Sequence, residues 1–425
     1  MMGGTAPVSL TIDSLGARGD GLAQHDGQTV YVPFTVPGDV VDAQLGEKRA
    51  DGVAADLLRI TTPGPGRAKP ACKHFGQCGG CAVQHLDDDH YAVWKRGLLV
   101  EAVERAGGDA SVVAPLIRIA PGTRRRAALG FVRAGKATML GFAQRASHTL
   151  IDVEECPVLV PALVALLAPL RAVLTQALPG GAKGDVVATL TETGLDLVIE
   201  SESQPNLKSR EALAGFATAH DIARLSWRSK KGTEPIAHRR APIVRPGGVP
   251  VELPPGGFLQ PSTEGETTLA RLVTEAVIER AKPRDRVLDL YAGSGSFTFP
   301  LAKTQRVHAV EGDGPAIAAL TRAVGQASLP VTTETRDLAR KPLREKELAG
   351  YVAAVFDPPR IGAASQASAL AASGPKLVVA VSCNPATLSR DARLLIDGGY
   401  RLIRAVPVDQ FLWSARLEAV AVFTR

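Results

Sequence analysis

The chain contains one cysteine placed for covalent chemistry: Cys383, in VVAVSCNPATL, directly after an apolar run, where Asn384 and Pro385 turn the chain into a helix. A thiol near a helix N-terminus can have a lowered pKa and hence nucleophilic thiolate character. A lone cysteine at a strand end is ordinarily inert packing, but two nearby patterns argue for more. In VLDLYAGSGSF, Gly293 and Gly295 follow an apolar strand and precede a helix, so the backbone can approach a ligand closely. The third glycine of a dinucleotide fingerprint is missing, since Thr298 stands there. Glu311 follows about 18 residues later at the next strand end, where a carboxylate can accept both ribose hydroxyls. The pair reads as a nucleoside site. FDPPR, Phe356 to Arg360, ends another strand at the carboxyl edge where open α/β sheets bind ligands; its prolines stiffen the loop and aim Asp357 into the cleft.

The other four cysteines form a separate pattern, Cys72, Cys78 and Cys81 close together and Cys156 far downstream after Glu155. Clustered thiols in a reducing compartment bind zinc or an iron–sulfur cluster, and the spacing alone does not separate the two. Five cysteines in 425 residues are too few for a disulfide framework.

Composition bounds the rest. At 45% apolar and 22% charged residues, the chain is globular and large enough for two or three domains. Its longest apolar run, PVLVPALVALLAPL from Pro157, is broken by Pro161 and Pro169 and is too short for a membrane span, so it reads as a buried helix. The opening MMGGTAPVSL lacks a basic and then apolar signal pattern, which places the protein in the cytoplasm. The net charge is +6, and Val112 to Pro250 carries nearly all the excess, 18 basic against 11 acidic residues. Three basic clusters lie there: Arg124 to Arg126, Arg228 with Lys230 and Lys231, and Arg239 and Arg240 with Arg245. They point to a polyanionic partner, and aromatics at 4% leave phosphate contacts rather than stacking to hold it.

Three regions position these residues. Residues 1–62 show short alternating runs separated by Gly, Asp and Pro, the pattern of a small OB-like β-barrel. Residues 63–255 begin with the linker TTPGPGRAKP and the clustered cysteines, continue into a helix from about Asp88 to Ala106, and then mix strands and helices in an α+β arrangement. Residues 256–425 alternate apolar strands with helices, which predicts a doubly wound, mostly parallel sheet. The whole is multidomain α/β.

DLYAGSGSFTFPLA, AVEGD, FDPPR and VSCNP, in that order, resemble the catalytic domain of the S-adenosylmethionine-dependent RNA uracil-5-methyltransferases. GFLQPS at Gly257 resembles a further segment of that family, and residues 1–62 its TRAM domain. The resemblance implies a C-terminal Rossmann-like class I methyltransferase domain in which Gln260, Tyr291, Ser296, Glu311, Asp337 and Asp357 contact S-adenosylmethionine. It makes Cys383 the nucleophile and Glu418, in RLEAVAVF, the base that removes the uracil proton. It also favours a 4Fe-4S cluster on Cys72, Cys78, Cys81 and Cys156, as in the ribosomal RNA members. The implied partner is structured RNA, rRNA over tRNA, with no membrane association and a monomeric enzyme.

The chemistry needs such a pair: thiolate addition at carbon 6 gives uracil a nucleophilic carbon 5, and the carbon 5 proton must later leave to a base. Arg360 stands where an aromatic residue stacks on the base in amine methylases, which argues against that reaction. Ser262, Ser296 and the segment FLWSAR depart from the family pattern. The rivals are cytosine-5 methylation, tRNA methylation, and a non-catalytic RNA-binding or ribosome-assembly factor.

Overall fold

A computed structural model describes residues 6–425. Residues 1–5, part of the segment read as lacking a signal, lie outside the described residues.

Near the N-terminus six strands form one sheet, in the order Val8–Thr11, Val40–Arg49, Gly52–Thr62, Gln28–Val32, Gly21–His25, Ser14–Leu15. The long hairpin Val40–Arg49/Gly52–Thr62 shifts register at three points, and such bulges bend a sheet over its own core, here Leu10, Ile12, Val30, Val32 and Val41.

A second, seven-stranded sheet spans Arg126 to His238. The apolar run read as a buried helix forms Pro161–Ala177, with Pro161 in its first turn where a missing N–H costs nothing. Its Leu163, Leu167 and Leu170 pack with Phe131, Ile199 and Trp227 of the sheet.

The third sheet has eight strands, numbered here in chain order: β1 Ile117–Arg118, β2 Arg286–Leu290, β3 Arg306–Glu311, β4 Val331–Thr335, β5 Ala353–Phe356, β6 Leu377–Ser382, β7 Arg401–Asp409 and β8 Glu418–Thr424. Their spatial order is β4-β3-β2-β5-β6-β8-β7-β1. Strands β2 to β6 are parallel to their neighbours, and β8 runs antiparallel between β6 and β7. Successive strand residues alternate between two covered faces. Val287, Val355 and Val379 meet Leu269, Leu272 and Val273 of helix α2 (Thr263–Ile278). Leu288, Phe356 and Ala380 meet Leu388, Ala392 and Leu395 of α3 (Pro385–Asp397).

Two pieces of the central stretch join this third sheet. Helix α1 (Asp88–Arg105), N-capped by Asp87, places Tyr91, Trp94, Leu98 and Leu99 in the same core as α3. Strand β1 pairs with β7 at the sheet edge, an addition of two residues with no periodicity of their own.

Candidate active site

Every parallel strand of the third sheet ends at one edge, and the loops there carry the singled-out residues. After β2 the chain turns sharply through Tyr291, a non-glycine residue at φ 62°, to Gly293 and Gly295. Gly295 must be glycine: its φ is +95° and a Cβ would lie 2.4 Å from the Phe299 ring. The Gly293 N–H donates to Glu311 Oε2 at 2.8 Å, and the Asp313 N–H to Glu311 Oε1 at 2.7 Å. Thus Glu311 is held beside the glycine loop. Asp337 lies beyond β4, exposed, accepting from the Ala339 N–H at 3.0 Å.

Ser296 and Ser262, two departures from the family pattern, both have structural partners. Ser262 caps α2, its Oγ accepting from the Gly265 N–H at 3.0 Å. The Ser296 hydroxyl donates to Glu266 Oε1 on α2, and Glu266 Oε2 accepts from Arg125 at 2.7 Å. Arg125 is buried, with further bonds to the Gln260 carbonyl and Thr263 Oγ1. It ties the central sheet to α2, so the phosphate contacts expected of Arg124 to Arg126 cannot include it.

Cys383 and Glu418 meet because β6 and β8 are antiparallel. Ser382 pairs with Ala419, so the next residues outward, Cys383 and Glu418, fall side by side. A turn locks the nucleophile loop: Asn384 caps α3 through the Ala386 N–H and donates to the Arg360 carbonyl at 3.2 Å, fastening VSCNP to FDPPR. The thiol is half-buried, and burial, with Glu418 and Asp357 nearby, pushes it up to about 11. The lowered value expected from the helix terminus is therefore reversed in this state, because desolvation and two carboxylates outweigh Arg360 and the local N–H.

Behind the thiol runs a chain of amides and carboxyls. Gln260 Nε2 donates to Asp357 Oδ2 at 3.0 Å; Gln410 Nε2 donates to Gln260 Oε1 at 2.8 Å and to Glu418 Oε2 at 3.0 Å. Burial raises Glu418 to about 7, and enclosure together with Glu418 and Asp289 raises Asp357 well above its ordinary value. Asp289, fully buried in β2, is also raised by burial to about 7 and accepts from Thr298. Gln410 and Asp289 escaped sequence reasoning. Asp289 had a signal, a lone acid inside the apolar run VLDL; Gln410 had none.

The loop from Gln410 to Leu417, which contains FLWSAR, is pinned from outside. Lys95 of α1, fully buried, reaches Asp409 Oδ1 at 3.0 Å and the carbonyls of Phe411 and Ser414 at 3.2 and 2.6 Å. The Ala82 and Val83 N–H groups, next to Cys81, donate to the Trp413 carbonyl at 2.7 and 3.1 Å.

One cavity of about 1070 Å³ extends from Cys383, Arg360 and Arg416 past Arg124 and Arg126 to Cys72, Cys78, Cys81 and Cys156. The two cysteine-bearing segments are stitched together, the Lys73 N–H donating to Glu155 Oε1 at 2.9 Å and the Glu154 N–H to His74 Nε2 at 3.2 Å. Burial raises the Cys72 and Cys78 thiols and brings Cys81 to about 12. Among the described residues no three His, Cys, Asp or Glu side chains are gathered closely enough to hold a metal ion, and all five cysteines are free thiols. No helix among the described residues is long and apolar enough to cross a membrane.

The other basic clusters are only partly neutralised. Arg239 and Arg240 share Asp221, Arg245 meets Glu192, Arg228 meets Glu200 and Lys230 meets Glu202.

Known proteins match this chain along its length. Residues 251–425 match the family described as tRNA (Uracil-5-)-methyltransferase. An "Uncharacterized RNA methyltransferase" of Brucella melitensis is 46% identical, covering 98% of this chain and 97% of its own. The 23S rRNA (uracil(1939)-C(5))-methyltransferase of Aeromonas salmonicida is 31% identical, covering 98% and 96%. The crystal structure of Pyrococcus abyssi tRNA (uracil-54, C5)-methyltransferase, in complex with S-adenosyl-L-homocysteine, superposes with a TM-score of 0.76 at 22% identity, over 98% of this chain and 100% of that one, which shows the same mixed α/β fold. With motifs, fold and relatives in agreement, the chain belongs to the RNA uracil-5-methyltransferases, enzymes dependent on S-adenosylmethionine.

Proposed function

We propose that this enzyme methylates carbon 5 of a uridine in 23S rRNA through a covalent adduct with Cys383. The observation that carries the reading is the placement of Cys383 beside Glu418 across β6 and β8, at the mouth of an arginine-lined cavity. The rRNA substrate is favoured by the Aeromonas relative and by the four-cysteine set. The tRNA reading draws only on the name of the matched family and on a fold-level likeness.

S-adenosylmethionine, when bound, supplies an electrophilic methyl group. Glu311 and the glycine loop would hold its nucleoside, with Tyr291, Asp337, Gln260, Ser296 and Asp357 around them. The Cys383 thiol gives its proton to solvent, the thiolate adds to carbon 6 of the uracil, and the ring's electron pair moves toward carbon 5. After methylation there, the Glu418 carboxylate takes the carbon 5 proton, the ring double bond re-forms and the carbon–sulfur bond breaks. A carboxyl near 7 can both accept and later release that proton at neutral pH. A uridine within folded RNA must be extruded to reach Cys383.

The four cysteines would supply the donor chemistry of an iron–sulfur centre, being thiols from two stitched segments that face one cavity, but they are not gathered to ligand spacing, so a cluster would have to draw them together. We assign them a 4Fe-4S cluster whose role is to cross-link those segments. The reading divides the chain into residues 1–62, a TRAM-like β-barrel; 63–255, the cluster and RNA-binding region; and 256–425, the methyltransferase domain. The enzyme acts as a monomer in the cytoplasm.

RNA carrying 5-fluorouridine at the target tests this reading, because fluorine cannot leave as a cation. A denaturation-stable protein–RNA adduct is expected with S-adenosylmethionine, and none with Cys383→Ala. Glu418→Gln should stall ordinary uridine RNA as a slowly resolving adduct. Methylation by Cys383→Ala would overturn the mechanism, and no adduct with any RNA would favour a binding-only factor.

A further inference from the structure

Glu418, read above as the base, has no cationic partner among the described residues. The groups facing it are Asp357 from the β5 loop and Cys383 from the β6 loop, with Asp289 behind Asp357; Arg360 acts on the thiol, and Arg125 is committed to Glu266. Its one hydrogen-bond donor is Gln410, a neutral amide 4% exposed.

We infer that Gln410 is a positioning residue for proton removal, an amide that holds the Glu418 carboxylate in its charged, accepting form and links it through Gln260 to Asp357. The inference rests on the reading of Glu418 as base. The direction of the amide follows from its surroundings. Gln410 Oε1 lies against Gly265, where a Cβ would approach it to 2.3 Å, in the first turn of the 16-residue helix α2. No N–H reaches Oε1 there and it stays buried without a hydrogen-bond partner, so the partial positive charge of that helix end is all that suits the carbonyl oxygen. A flipped amide would put its NH2 group there and turn Oε1 onto the Glu418 carboxylate. Only the observed direction lets one NH2 group serve both Gln260 and Glu418.

A neutral donor is also the right strength. An arginine or lysine in this enclosure would hold Glu418 ionised too firmly to take a proton, while an apolar side chain would leave burial unopposed and the acid protonated. The backbone of Gln410 is fixed from the far side, since Asp409 beside it is held by Lys95 and Tyr91.

The test uses the full-length enzyme and RNA tritiated at carbon 5 of the target uridine, with tritium release followed against pH. Gln410→Met keeps the volume but removes the donor. It should move the acid limb of tritium release upward by about one pH unit, the scale expected for loss of a hydrogen bond to a buried carboxylate. The rate of adduct formation with 5-fluorouridine RNA, which does not require the base, should change less than about threefold. Gln410→Asn, which keeps an amide but is one methylene shorter and draws the donor away from Glu418, should move the limb the same way and stands in if the methionine variant does not fold. An unmoved limb in both variants, or adduct formation falling as far as tritium release, overturns the inference. Glu418→Gln separates this from failure of the base itself: if it releases tritium at the wild-type rate, the reading of Glu418 falls, whatever Gln410 does.

Discussion

Several arginines of the central sheet are matched to acids. Arg224 forms a two-pronged pair with Asp196 at 2.7 and 3.0 Å and is buried there, and Arg239, Arg240 and Arg245 each have a carboxylate partner at the surface. Around Cys383 the arrangement is the opposite. Arg360 and Arg416 are exposed at the cavity and form no salt bridge among the described residues, while the acids behind the thiol are raised toward neutrality instead of paired. Positive charge counted along the sequence therefore does not by itself mark the cavity's arginines, which include Arg124 and Arg126 within the basic stretch and Arg360 and Arg416 outside it. A paired arginine is structure, and an unpaired one beside the nucleophile is available to phosphate.

The largest effect that would break this comparison is on stability. Arg224→Ala leaves the buried Asp196 uncompensated and should cost about 3–5 kcal/mol in denaturant unfolding. A cost near that of a surface mutation would show that the central pairs are ornamental.

The comparison is sharpened next by RNA binding. Arg360→Ala and Arg416→Ala should each lower the slope of log affinity against log salt by about 0.7–0.9. Arg245→Ala should leave it unchanged, because that charge is already matched to Glu192. Equal slopes for the three variants would return the RNA path to the central sheet.

The pH dependence of stability offers a further check on the acids. Asp289 and Glu418 have folded values of about 7, above their ordinary values of 3.8 and 4.5. Between those limits the folded chain binds more protons than the unfolded one, so their contribution is full below about 4 and is lost as pH rises through about 7. Asp289→Asn should flatten the decline measured by thermal unfolding between pH 4 and 7, and an unchanged slope would remove Asp289 as a source.

What the sequence disclosed was whatever repeats locally. The strand and helix alternation after residue 256, the glycine turn and the strand-end positions of Asp357 and Cys383 can all be read from short windows, and the sheet order follows them. What it hid was long-range. Ile117–Arg118 has no pattern that announces its pairing with β7, and nothing in the residues around Lys95 announces that it is fully buried. The thiol's reversed pKa likewise depends on carboxyls from other strands, as does the partnering of each arginine.

The position of β8 gives the catalytic centre a history. It follows β7 in the chain yet lies between β6 and β7, and it brings Glu418 with it. Without β8 the cysteine strand would have an unpaired edge and would lack its acid. A chain cut before β8 would carry the cysteine and no group to release the product. Insertion of the strand closes the exposed edge and completes the acid–thiol pair in one event, so the nucleophile becomes part of a full catalytic cycle only when the sheet itself is whole.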